Sequence, residues 1–123
     1  MDKKLILIAE DEVAYGKILK TILEKEGYDV VIALNGDELL KIAGGKKAAL
    51  VILDLIMPVK DGFLALSEMK KNTQLKTIPV IALSNLGQDE DIAKAKRLGA
   101  DGFIIKSDEA FYDVIHKIKR MVN

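Results

Sequence analysis

The residues best suited to metal and phosphoryl chemistry each come directly after a short apolar run. They are Glu10 and Asp11 after residues 5–9, Asp54 after residues 48–53, Ser84 after residues 79–83 and Lys106 after residues 103–105. If these runs are parallel strands of one sheet, the polar residues that follow them collect along one edge. That edge would carry three carboxylates, a hydroxyl and an ammonium.

Three neighbouring carboxylates repel one another, and one would stay protonated unless a cation lay between them. Magnesium fits best, because it accepts a few carboxylates, keeps several waters and recruits phosphate oxygen. Lys106 adds a positive point charge suited to an anionic oxygen, and Ser84 adds a hydroxyl donor. A carboxylate nucleophile, a metal and a lysine together favour transfer of a phosphoryl group to an aspartate.

The elements that position these residues follow from the alternation of apolar runs with segments of helical period, which is typical of a βα-repeating domain. Strands are predicted at residues 5–9, 28–33, 48–53, 78–83 and 103–105. Helices are predicted from Val13 to a stop at Gly27, at residues 38–43 closed by Gly44 and Gly45, at residues 63–72, from Asp89 to a stop at Gly99, and from Asp108 onward.

The order of the strands follows from their composition and from the handedness of the crossovers. The first and third runs are the most apolar and should be central, since such strands are buried on both faces. Right-handed crossovers then favour the order 2-1-3-4-5, a doubly wound (βα)5 three-layer α/β sandwich of flavodoxin-like type. Ligands bind where the winding reverses, between strands one and three, and Glu10, Asp11 and Asp54 fall there.

Composition bounds the function classes. A chain of 123 residues is expected to form one domain with its own core. Nineteen basic and nineteen acidic residues cancel, so no field steers the chain toward nucleic acid or a membrane. The lack of cysteine excludes disulfides, thiol catalysis and thiolate metal sites. No apolar run suits a signal peptide or a membrane helix, and a cytoplasmic domain is expected by elimination.

Each polar residue also has a structural explanation when it is taken alone. Asp11 is better explained as a helix N-cap, Asp54 could begin a loop, and a lone lysine such as Lys106 is usually solvated. Asp61–Gly62 could be only a turn, and His116 is expected on a solvated helix face rather than in a site. Their joint placement at separate strand ends is much harder to obtain from packing alone.

At this level of detail the chain resembles a known family. Its motifs are Glu10–Asp11, Asp54 followed by Leu55-Ile56-Met57-Pro58, Asp61–Gly62, Ser84 and Lys106. In their order and spacing, over essentially the full length, the chain resembles the receiver domain of two-component response regulators. The resemblance implies that Asp54 accepts a phosphoryl group from a phosphohistidine of a sensor histidine kinase or phosphotransfer protein. It implies Mg²⁺ bound by Glu10, Asp11, Asp54 and the Ile56 backbone carbonyl, with Lys106 paired to the phosphoryl oxygens.

The resemblance also implies a switch. Ser84 would move to hydrogen-bond the phosphoryl group while Phe103 changes its rotamer, and the face formed by helix 4, strand 5 and helix 5 would signal to a protein effector. Homodimerisation through that face stays open. Residues 1–123 are expected to be a single, chemotaxis-regulator-like receiver with no output domain, binding neither nucleic acid nor membrane directly. The domain would catalyse only its own phosphorylation and dephosphorylation.

Some residues depart from the commoner family pattern. Ser107 stands where the family usually has proline after the lysine, so a trans Lys106–Ser107 peptide is predicted. Asn85 replaces a small residue and would narrow access to Asp54 or contact the phosphoryl group. Ile56 and Leu86 occupy positions that influence attack of water on the acyl phosphate. Because both are apolar and cannot orient water, slow self-dephosphorylation is expected.

Other functions remain open at this stage. An aspartate-nucleophile phosphohydrolase of the haloacid-dehalogenase kind typically carries a second aspartate where this chain has Ile56. An FMN carrier would want a phosphate-binding loop after the first strand, where the acidic residues 10–12 would repel phosphate. A receiver used only as an unphosphorylated docking module is the third alternative, given Asn85 and Ser107.

Overall fold

The computed structural model describes residues 3–85 and 89–122, in which five strands alternate with five helices. The strands are β1 Leu5–Ala9, β2 Asp29–Ala33, β3 Leu50–Asp54, β4 Val80–Ser84 and β5 Gly102–Ile105. The helices are α1 Val13–Lys25, α2 Gly36–Gly45, α3 Gly62–Lys71, α4 Asp89–Arg97 and α5 Phe111–Val122. None of the helices in these ranges is long and apolar enough to cross a membrane.

The five strands form one parallel sheet in the order β2-β1-β3-β4-β5. This confirms the predicted doubly wound, flavodoxin-like α/β fold. The register aligns the carboxyl ends of neighbouring strands, because Asp54 pairs with Leu83 and Ser84 pairs with Ile105. The predicted reactive residues therefore lie at one edge of the sheet.

A hydrophobic core covers each face of the sheet. Val51 and Leu53 of β3 belong to one core, with residues of α2, α3 and α4, while Ile52 belongs to the other, with residues of α1 and α5. This alternation is the ordinary pleat of a strand, and every residue of β3 is buried. Packing on both faces holds the end of β3, and with it Asp54, in a defined place.

The boundaries differ from the sequence prediction at α5, α2, β3 and β4. Helix α5 begins at Phe111 rather than at Asp108, because the preceding acids form a turn: the Asp108 and Glu109 N–H groups both donate to the Ile105 carbonyl. The Glu109 carboxylate accepts the Ile105 N–H at 3.0 Å and holds that turn. Helix α2 continues through Gly44 and Gly45 instead of stopping before them. Strands β3 and β4 include the polar residues that were expected to follow them.

Candidate functional site

Three carboxylates meet at the carboxyl ends of β1 and β3. Glu10 and Asp54 are buried, with 0% and 5% exposure, and Asp11 is exposed. One ligand oxygen from each of the three lies within 4.8 Å of the others. Strand register brings them together, because Ala9, directly before Glu10, pairs with Leu53, directly before Asp54. Three hard oxygen donors at this spacing are consistent with a divalent metal site.

Lys106 enters the same cluster from the end of β5. Its N–H donates to the Ser84 carbonyl at 2.8 Å, and its side chain is only 4% exposed. The ammonium forms an ion pair with Glu10 and lies 3.0 Å from Glu12 Oε1 and 3.4 Å from Asp54 Oδ2. The solvated lysine expected as the alternative is therefore wrong. With Asp11 included, the cluster contains four carboxylates and one ammonium, which leaves an excess of negative charge suited to a cation.

The protonation of the cluster reflects this crowding. The pKa of Glu10 is raised from 4.5 to about 8, first by burial and then by the adjacent Asp54 carboxylate, while Lys106 acts in the opposite direction. Burial opposes the charge of Lys106, yet its hydrogen bonds to Glu10 and Glu12 hold its pKa above the ordinary value. Lys106 is consequently a permanent cation at a site where carboxylates compete for charge neutralisation.

The backbone around Asp54 is held by the start of α3. Asp54 Oδ1 accepts the Ile56 N–H at 3.1 Å, and the Gly62 N–H donates to the Leu55 carbonyl at 2.9 Å. A Cβ at Gly62 would lie 2.1 Å from the Asp54 carbonyl oxygen, so only glycine permits this approach. Asp61 caps α3 by accepting the Leu64 N–H at 2.9 Å. The Asp61–Gly62 pair is thus a helix start packed against the site, and not only a turn.

A cavity of about 380 Å³ opens beside Asp54, lined by Asp11, Glu12, Asp54, Ile56, Ser84 and Asn85. Ser84 is buried at its edge, whereas the Ile56 side chain is 62% exposed. Asn85 is also exposed, and its amide donates to Glu12 Oε1 at 3.1 Å. The cavity gives a small molecule access to Asp54. Leu86, the other predicted rate-tuning residue, lies outside the described residues.

Phe103 is placed apart from this cavity. It is half-buried on β5 opposite Ala82, and its carbonyl accepts the Lys117 ammonium at 3.3 Å. Together with Gly102, Lys117 and Met121 it borders a second, smaller cavity of about 200 Å³. A side chain in this position has space beside it, as a rotamer change requires, although its switch role stays a prediction.

The structure also tests the sequence expectations for Asp11, Ser107 and His116. Asp11 is not the N-cap of α1, since Glu12 occupies that position and its side chain makes no capping hydrogen bond. No peptide bond among residues 3–85 and 89–122 is cis, which confirms the trans Lys106–Ser107 bond. The Ser107 hydroxyl instead donates to the Asn85 carbonyl at 3.4 Å. His116 is exposed and packs edge-on against Tyr112, as expected of a solvated face.

Sequence reasoning missed two neighbours of Lys106. Glu12 accepts a hydrogen bond from the Lys106 ammonium. The Tyr15 ring lies beneath the same ammonium, with the ring centroid 4.8 Å from Lys106 Nζ. Burial raises the pKa of Tyr15 to about 12, so its hydroxyl stays protonated. The available signal was the run of three acids at residues 10–12, of which only two were assigned a role.

The family profile of the response regulator receiver domain matches residues 6–117. The chain belongs to this family. It is 39% identical over 106 residues to the probable transcriptional regulator ycf27 of Cyanophora paradoxa, covering 86% of this chain and 43% of that protein. The receiver domain therefore spans less than half the length of this curated relative.

Solved structures agree over nearly the whole receiver domain. The signal receiver domain of a signal transduction histidine kinase from Syntrophus aciditrophicus superposes with a TM-score of 0.87 at 34% identity, over 97% of this chain and 89% of that one. A CheY-like response regulator receiver domain protein from Methanospirillum hungatei JF-1 gives 0.90 at 29% identity, over 98% and 94% of the two chains.

The family resemblance predicted from the sequence motifs is confirmed. The chain is a two-component receiver domain, a signalling phosphoacceptor rather than a conventional enzyme, and Glu10, Asp11 and Asp54 form its acidic pocket. Membership of this family implies a histidine kinase partner. The haloacid-dehalogenase and FMN-carrier alternatives are accordingly set aside.

Proposed function

We propose that Asp54 is the residue that accepts the phosphoryl group. One observation carries the assignment: Asp54 belongs to the three-carboxylate cluster, borders the open cavity and lies 3.4 Å from the Lys106 ammonium. Glu10 shares the cluster and the lysine but is completely buried, and Asp11 is exposed but has no described contact with Lys106. Asp54 thus combines access, a neighbouring cation and metal-binding neighbours.

The chemistry is transfer of a phosphoryl group to a carboxylate. An Asp54 oxygen forms a bond to phosphorus while the bond from phosphorus to the donor breaks, and the donor leaves with the electron pair. Lys106 holds a phosphoryl oxygen by charge, and the Ser84 hydroxyl donates to another. Glu10, Asp11, Asp54 and the Ile56 carbonyl would hold Mg²⁺, which, when bound, neutralises charge developing on the phosphoryl oxygens.

The signal then passes to the far side of the sheet. Phosphorylation adds nearly two negative charges and three strong acceptors at a site already rich in carboxylates. Movement of Ser84 toward the new group would free space behind β4, and Phe103 on β5 would turn into it, which changes the α4–β5–α5 face. A sensor histidine kinase or histidine phosphotransfer protein would supply the phosphoryl group, and a protein effector or a second copy would bind the changed face.

Intact-mass measurement after incubation with acetyl phosphate and Mg²⁺ tests this assignment. We expect a hydroxylamine-labile gain of one phosphoryl group that requires the metal and is lost in Asp54→Asn. Asp113→Asn, an exposed aspartate in α5, is the matched control and should be modified like the wild type. Persistence of the adduct in Asp54→Asn would refute the assignment. If neither acetyl phosphate nor phosphoramidate modifies the wild type, the chain is an unphosphorylated docking module.

A further inference from the structure

Glu12 contacts the Lys106 ammonium and also lines the cavity beside Asp54. Building on the proposed function of Asp54, we propose that Glu12 is a built-in competitor that occupies Lys106 in the unphosphorylated domain and slows phosphorylation. It is a positioning residue, because it acts on Lys106 and not on the reacting atoms.

The contacts of Glu12 define its role. Its Oε1 accepts the Lys106 ammonium at 3.0 Å and the Asn85 amide at 3.1 Å, so one oxygen joins the ends of β4 and β5. The hydrogen bond from Lys106, and to a smaller extent the one from Asn85, lower the pKa of Glu12, and the carboxylate is charged near neutral pH. Asn85, one of the departures from the commoner family pattern, therefore helps to hold Glu12 in this position.

Carboxylates crowd the Lys106 ammonium where a phosphoryl oxygen would bind. An ammonium carries three N–H groups, and three carboxylates surround Lys106: Glu10, Glu12 and Asp54. A phosphoryl oxygen must therefore displace one of them. Glu10 is fully buried and Asp54 is the acceptor, whereas the Glu12 side chain is 52% exposed and can rotate into solvent.

Displacing Glu12 adds to the barrier for transfer. With acetyl phosphate as donor, an Asp54 oxygen bonds to phosphorus, the bond between phosphorus and the acetyl oxygen breaks, and acetate leaves with the electron pair. Lys106 assists only after it has exchanged Glu12 for a phosphoryl oxygen, and Glu12 would otherwise repel the anionic donor at the edge of the cavity. Removal of the Glu12 carboxylate should therefore speed this reaction.

The test compares Glu12→Ala with Glu24→Ala, which removes the same charge from an exposed position of α1, the helix that Glu12 directly precedes. The initial rate of acetyl phosphate labelling is followed by intact mass in Mg²⁺. We expect Glu12→Ala to react roughly two- to five-fold faster than both the wild type and Glu24→Ala, the range expected for losing a half-exposed ion pair. Binding of beryllium trifluoride, measured by ¹⁹F NMR, should tighten by a similar factor.

Glu12→Asp separates competition from simple repulsion, because it keeps the charge but withdraws the carboxylate from Lys106 by one methylene. A rate close to that of Glu12→Ala supports competition, and a rate equal to the wild type overturns it. Equal rates for Glu12→Ala and Glu24→Ala, or unchanged trifluoride affinity, also overturn it while leaving the Asp54 assignment intact. Failure of every variant and the wild type to form an adduct removes both proposals together.

Discussion

Replacing Gly62 by alanine should damage stability and phosphorylation together, because this residue joins the start of α3 to the backbone that carries Asp54. The alanine Cβ would lie 2.1 Å from the Asp54 carbonyl oxygen, 2.5 Å from the Leu55 Cα and 2.8 Å from the Asp54 carbonyl carbon. All three are backbone atoms at, or directly after, the buried end of β3, so no flexible side chain can move away. Either α3 or the end of β3 must shift.

The size of the effect follows from these distances. Ordinary contact begins at 3.4 Å, so the two segments must separate by more than 1 Å. Overpacking of this kind costs about 1–3 kcal/mol, and loss of the Gly62 N–H hydrogen bond to the Leu55 carbonyl adds about 1 kcal/mol. We expect ~3 kcal/mol of destabilisation. A shift of about 1 Å at the acceptor can lower a transfer rate by as much as ~10²-fold.

Urea denaturation and acetyl phosphate labelling at a temperature where the variant is folded measure the two effects. Gly44→Ala is the matched control: Gly44 lies in α2, nothing lies within 4 Å of an added Cβ, and the change should stabilise by ~0.5–1 kcal/mol. If Gly62→Ala is as stable as the wild type and labels at the same rate, the close approach of α3 to Asp54 is not a constraint and the reasoning fails.

Three further perturbations have defined outcomes. In EDTA, the contribution of Glu10 to stability should be fully present below pH 4.5 and lost as the pH rises toward about 8, since folding raises its pKa. Glu10→Gln cannot titrate and should lose less stability than the wild type over this pH range in urea titrations. Ile56→Asn should shorten the acyl-phosphate lifetime roughly 3- to 10-fold, because one hydrogen bond to attacking water is worth ~1 kcal/mol. Val59→Gly should stabilise by ~1 kcal/mol, since Val59 has a φ of 68° and is 80% exposed.

Each of these outcomes has a contrary result. A flat or rising stability between pH 4.5 and 8 in the wild type would show that the Glu10 carboxyl is not held protonated. An unchanged lifetime in Ile56→Asn would remove the explanation offered for slow self-dephosphorylation. Val13→Gly, at an exposed position without positive φ, is the control for Val59 and should not stabilise; equal effects of the two substitutions would exclude relief of backbone strain.

The strand order and most of the site were predictable because both depend on local patterns. An apolar run without alternation, such as residues 48–53, identifies a doubly buried strand, and the handedness of crossovers then limits the order of the sheet. Polar residues at the ends of parallel strands must share an edge. Glu10, Asp54 and Lys106 were accordingly placed together from the sequence, and the structure brings them into contact.

The remaining features depend on distances between elements that are remote in sequence. The predicted start of α5 was wrong. Asp108 and Glu109 are residues that often begin a helix, but here they form a turn that hydrogen-bonds to the Ile105 backbone. The sequence around Gly62 indicated only a turn. The position requires glycine because the start of α3 packs directly against the backbone at the end of β3. The Asn85 amide donates a hydrogen bond to Glu12, which is 73 residues away in the chain, and the position of Asn85 after Ser84 gave no sign of this pairing.

By itself, the sequence determined the chemistry of this receiver domain, because residue types at strand ends specify which groups line the edge of the sheet. Only the tertiary structure decided how those groups share their charges. Lys106 is surrounded by Glu10, Glu12 and Asp54, and two of these three are buried, so the exposed Glu12 is the one that can yield. The burial of each carboxylate and its distance from Lys106 decide which one can be displaced. Neither quantity can be read from the spacing of residues along the chain.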